Sequence, residues 1–211
     1  MTAMFKSWKA LAIFAVAAAS IACGDMATQG RSPVQLTILS LSAASGATPD
    51  EFGATLHSDV VTNINQTVGG QQVAVPTIFN DNGAADFGLV LKNPGSDPAT
   101  PASPSALNAV TITRYRVVYR RTDGRNTPGV DVPYAFDSAV TVTVDKDGAS
   151  TGFQLVRNSA KQEAPLRALV NNPDIIATIA DVTFYGRDQA GNDVTATGSI
   201  GVDFGNFGDP Q

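Results

Sequence analysis

From Val194 to Phe204 every second residue is apolar or small. Val194, Ala196, Gly198, Ile200, Val202 and Phe204 alternate with Thr195, Thr197, Ser199, Gly201 and Asp203. A period of two places one of these sets on each side of an extended chain, which is the pattern of a half-buried strand. Upstream, Ile176, Ala180, Val182 and Phe184 supply a second apolar set. Between the two runs lies Asp188-Gln189-Ala190-Gly191-Asn192-Asp193, rich in turn-forming residues. Residues 175–205 therefore predict a long antiparallel hairpin with Val182, Phe184, Ile200 and Val202 facing the core.

Val110–Arg121 predicts another long strand. Tyr115, Val117 and Tyr119 share one face, and Arg114, Arg116, Val118 and Arg120 the other. Val110 and Ile112 are out of phase with Tyr115, so a bulge is expected near Thr113. Val140, Val142 and Val144 alternate with threonines. Val34–Leu41, Val73–Phe79, Phe87–Lys92 and Gly152–Val156 are further candidates, and Phe52–Val61 could hold one more, for about nine strands. Sustained helical periodicity is absent; Ala160–Val170 allows a short helix, interrupted by Pro165. Segment 95–105 holds three prolines and no large apolar residue. Residues 33–94 alone would make a marginal domain. The expectation is one all-β domain over 33–207, a single antiparallel β-sandwich in which 95–105 is a loop crossing between sheets, followed by a tail at 208–211. This layout resembles bacterial immunoglobulin-like and fibronectin type III-like modules, a resemblance carried by the Tyr115/Val117/Tyr119 strand and the 175–205 hairpin.

The N-terminus reads differently. Lys6 and Lys9 precede an unbroken apolar or small run, Ala10–Ala22. As a helix it would rise about 20 Å, short of a bilayer core of about 30 Å. This is the pattern of a secretory signal. It ends in Ser20-Ile21-Ala22-Cys23-Gly24, which resembles the lipobox of bacterial lipoproteins, although Ser20 stands where that family usually has Leu. The resemblance implies removal of residues 1–22 and lipidation of Cys23, the chain's single cysteine. Residues 23–32 would then be a lipidated N-terminus and tether, and the membrane would be reached through that lipid. Asp25 falls one place later than the inner-membrane retention signal of some bacteria, so the expected location is the outer membrane.

With one Cys there is no internal disulfide and no Cys-based zinc site. The formal net charge is −5, and loss of Lys6 and Lys9 with the leader makes it −7. This argues against nucleic-acid binding. His57 is the single imidazole, and no serine sits in a nucleophile-elbow pattern. Asp145-Lys146-Asp147-Gly148 and the 188–193 segment have the spacing of partial calcium loops. Both fall where a hairpin turn is already expected, and the plain turn is the preferred reading. No cofactor or metal is expected. Arg114, Arg116, Arg120, Arg121 and Arg125 form a local cationic band. Arg114, Arg116 and Arg120 could meet an anion, a glycan or a protein partner; pairing with carboxylates across strands is the preferred alternative. The expected function is a non-catalytic binding or structural role in the bacterial envelope. The alternatives are an envelope enzyme, such as a glycan hydrolase using Asp carboxylates, and an adhesin-like subunit that assembles through an open edge strand.

Overall fold

The structure, a computed structural model, describes residues 30–97 and 99–208. Cys23, the leader, most of the tether and the last three residues lie outside the described residues. The fold is all-β. The described residues form ten strands: β1 (Val34–Ala44), β2 (Thr55–Asp59), β3 (Thr62–Val68), β4 (Gln71–Thr77), β5 (Asp81–Leu91), β6 (Val110–Arg120), β7 (Phe136–Val144), β8 (Ala149–Val156), β9 (Ile176–Asp188) and β10 (Asp193–Gly205). One sheet has the order β1-β5-β8 and a second, curled one the order β2-β10-β9-β6-β7; β3 and β4 pair only with each other.

The 175–205 alternation becomes the β9–β10 hairpin, paired from Asp193↔Arg187 to Phe204↔Ile176. Val182, Phe184, Ile200 and Val202 are all buried. In β6 the register shifts between Ile112 and Arg114 against both β7 and β9. The extra residue brings Tyr115 into phase with Ile112, and both are buried. Helical structure near Pro165 is split as the proline requires: α1 (Asn158–Lys161) lies before it and a 3-10 segment, Leu166–Asn171, after it.

The two larger sheets share one core. Phe87 of β5 meets Phe184 of β9 edge-on at 4.8 Å, and Phe153 of β8 meets Tyr115 and Phe184, each at 5.3 Å. Edge-to-face packing suits the aromatic quadrupole. The two β6 tyrosines also tie the sheets polarly. The Tyr119 hydroxyl donates to the Leu155 carbonyl of β8 at 2.6 Å, and the Tyr115 hydroxyl to the Gln154 carbonyl at 3.1 Å. Segment 92–109 carries the chain from β5 in one sheet to β6 in the other.

Four expectations need correction. β2 runs parallel to β10, so the curled sheet is mixed and not wholly antiparallel. Side-chain alternation is blind to the direction of the neighbouring strand. β3 had no counterpart in the sequence reading, because Thr62–Val68 buries hardly any side chain and so has no apolar face to display. The turn at 145–148 is not a hairpin: β7 and β8 belong to different sheets, and the turn is a corner between them. Ser32, assigned to the tether, is buried and belongs to the fold.

Candidate functional site

Alternation along β6 sends Tyr115, Val117 and Tyr119 into the core and Arg114, Arg116 and Arg120 to solvent. Each of the three arginines has a carboxylate partner on an adjacent strand. Arg114 and Arg116 converge on the two oxygens of Asp137 in β7, at 2.8 and 2.9 Å. Arg114 also stacks over the Tyr185 ring, 3.8 Å from its centre. Arg120 is separate. Its Nε–H donates to Asp181 of β9 at 2.6 Å, and Ser199 of β10 donates to the same carboxylate. Burial alone would raise the Asp181 carboxyl, but Arg120 and Ser199 together hold it below its ordinary value. Arg121 and Arg125 grip Asp123 in the following loop, and hydrogen bonds from both guanidinium groups hold that carboxyl far below the usual range. The band is thus three carboxylate-centred groups and not a continuous cationic row.

The calcium-like segments are occupied by their own turns. The Asp145 carboxylate accepts the Asp147 N–H, and Lys146 pairs with Asp147. Asp188 accepts the N–H groups of Ala190 and Asn192 and the Asn192 side chain, and these outweigh its burial to lower its carboxyl. Among the described residues no three His, Cys, Asp or Glu side chains cluster as a metal site. His57 is an exposed strand residue on β2, 3.5 Å from Asp203 of β10 and edge-on to Phe207. A groove flanked by β6, β9 and β10 holds one acid, Asp193, already paired with Arg187; another beside α1 holds Glu163.

Two features escaped the sequence reading. The first is a buried ionic centre. Asp81, at the start of β5, and Lys161, at the end of α1, pair at 2.8 Å with both side chains almost fully buried. Asp81 also accepts the Ser58 hydroxyl at 2.6 Å and the Gly46 N–H at 2.8 Å. A Cβ on Gly46 would lie 2.2 Å from the Asn80 carbonyl oxygen, so glycine is what lets this loop reach Asp81. Burial pushes the neighbouring Tyr119 phenol well above its ordinary value, with the Asp81 charge adding to the shift. The second is a groove of about 430 Å³ between β1 and β10, lined by Gln35–Leu41 and Thr195–Ser199. Neither strand pairs with the other.

Comparisons with protein-family models, curated proteins and solved structures found no match to this chain. The geometry is therefore the basis for a functional reading.

Proposed function

We propose that this chain is an exported bacterial envelope protein, anchored in the outer membrane by lipid on Cys23. Its body is an immunoglobulin-like or fibronectin type III-like sandwich that binds or assembles and does not catalyse. The lipobox-like ending of the leader supports the anchor, and two sheets facing each other across an aromatic core support the body. The observation that carries the reading is the point at which the fold begins. Ser32 is buried, and its hydroxyl accepts the Val34 N–H at the start of β1. Only residues 24–31 then separate Cys23 from the folded body. At no more than ~3.6 Å per residue they span at most about 29 Å. A body held that close to a bilayer is suited to contacts at the envelope surface.

Cys23→Ser tests the anchor, because a hydroxyl cannot form the thioether. The variant is expected to lose the lipid mass and to leave the membrane fraction, or to stall as the uncut precursor. Membrane fractionation at unchanged mature size would refute lipidation at this residue.

A further inference from the structure

We infer that the groove beside α1 is a saccharide-binding site, with Tyr134 as the platform on which a sugar ring stacks. The inference gives the binding branch of the proposed function a ligand class, and it does not depend on the lipid anchor.

The first wall is a turn that holds one aromatic ring in place. The Thr127 carbonyl accepts the N–H groups of Val130, Asp131 and Val132, and the Asp131 carboxylate accepts the Thr127 N–H. The Gly129 N–H donates to the Val132 carbonyl at 2.8 Å. Val132 and Pro133 are buried and pin the chain that follows. Tyr134, the next residue, is nevertheless 53% exposed. The phenol end of its ring rests on Gly129, where any Cβ would collide with it. The φ of +75° at Gly129 is a second reason for glycine there. A large aromatic side chain is thus kept at the surface on a backbone tied down on both sides. Such prior order lowers the entropy lost when a ligand binds.

The second wall follows α1. Ala160, Lys161, Leu166 and Leu169 are buried and fix this stretch on the core. Gln162, Glu163, Arg167 and Ala168 are left exposed. The Arg167 N–H donates to the Glu163 carbonyl at 2.8 Å, so these two residues are one turn apart. Together with Ala164, Gly129 and Tyr134 they line a groove of about 750 Å³, within the usual size of a ligand site. Alanine at 164 and 168 leaves the space between the ring and the charged groups open.

Both charges of the groove are without partners. The arginines on β6 and in the loop after it, and Arg187, all pair with aspartates. Glu163 and Arg167 form no ion pair with each other or with any other described residue. An unpaired charge at a surface is ordinary. Here an acceptor and a donor of opposite sign flank the same fixed ring, and that combination limits the ligand. An anion would be repelled by the Glu163 carboxylate, and a cation by the Arg167 guanidinium. A wholly apolar ligand would strip water from both charges and pair with neither. A neutral polyhydroxylated ring meets every group present. Its hydroxyls donate to Glu163 and accept from Arg167, while its C–H face lies on the electron-rich face of the tyrosine. Glycosidic hydrolysis ordinarily uses two carboxylates, and the groove lining supplies one, so the chemistry it offers is recognition.

The test titrates the full-length chain by calorimetry, in a detergent without a sugar headgroup. The probes are the tetrasaccharides of glucose, mannose, galactose and N-acetylglucosamine, taken to millimolar concentration. At least one is expected to bind, with an affinity that added salt leaves unchanged because the ligand is neutral. Tyr134→Ala is expected to weaken binding about tenfold or more, and Tyr134→Phe to keep it within about threefold. Glu163→Gln and Arg167→Gln are each expected to weaken it several-fold. All three positions are exposed, so thermal melts of the variants should match wild type. Failure of every tetrasaccharide to bind, or binding that Tyr134→Ala leaves intact, would overturn the inference. So would salt-sensitive binding of free amino acids in place of the sugars, which would make the ligand a zwitterion. Calorimetry is independent of membrane fractionation, so failure of sugar binding and failure of the anchor are separate results.

Discussion

The molecule handles ionic pairs in two opposite ways. On the outer face of β6, Arg114, Arg116 and Arg120 meet Asp137 and Asp181 in water, with each arginine side chain about half exposed. Under the end of α1, Lys161 and Asp81 meet with almost no access to solvent. The distances are similar, so distance does not rank the two regions. In the first, water screens the attraction and would solvate either partner left alone, so the pairs add little to stability. In the second, separation would strand a charge in a medium that cannot solvate it. Asp81 accordingly accepts hydrogen bonds from three donors, Lys161, Ser58 and Gly46. The surface groups decorate one sheet, whereas the buried group joins β5, β2, α1 and the loop after β1.

The largest expected effect breaks the buried pair. Asp81→Ala should cost about 3–5 kcal/mol in urea unfolding, because Lys161 is left buried and unpaired. Adding Lys161→Met should recover a substantial part of that loss. If the double variant is no more stable than Asp81→Ala, the cost comes from lost packing and not from the stranded charge.

Solution pH should act at both ends of the scale. Asp86 of β5, whose carboxylate accepts the Ser150 and Ser40 hydroxyls, is held below its ordinary value, as are Asp181 and Asp188. They contribute stability that is complete above pH ~4, the unfolded carboxylate range, and lost progressively as pH falls below it. Tyr119 has the opposite sign. Its raised folded pKa gives stability that is complete below pH ~10, where the unfolded phenol ionises, and lost as pH rises above it. Tyr119→Phe should flatten the alkaline arm and leave the acid arm unchanged in a melting series against pH.

The smallest effect is expected from the surface row. Replacing Arg114, Arg116 and Arg120 together by Gln should lower the melting temperature by no more than about 3 °C, and by less in high salt. A larger loss that persists in high salt would mean that these pairs are coupled to the core, and the contrast between the two regions would fail.

The two regions also differ in how far the sequence announced them. The exposure of Arg114, Arg116 and Arg120 follows from period-two alternation around Tyr115 and Val117. Their partners, Asp137 and Asp181, did not, because each lies on another strand and only the β6–β7 and β6–β9 registers bring them beside the arginines. The bulge at Thr113 was legible because two apolar phases in one strand can be reconciled only by an extra residue. The buried centre was not legible at all. Lys161 in a short polar helix reads as a surface cation, and Asp81 between two asparagines reads as a turn residue. The β3–β4 ribbon was half seen, through Val73 and Val75, while Thr62–Val68 lacked the buried face by which strands are recognised. The parallel entry of β2 beside β10 left no sequence trace, since both strand directions use the same alternation.

The placement of Ser32 has a mechanical consequence. The chain enters β1 at the pole near Asp193, and the ribbon leaves at the Gly205 pole. A pull applied between Ser32 and the ribbon therefore runs nearly along the strand axes. β1 is loaded lengthwise against β5, from Val34↔Leu91 to Ala44↔Asn82. In this shear geometry the rungs of the ladder resist together, and the first strand to take the tension cannot be peeled away one bond at a time.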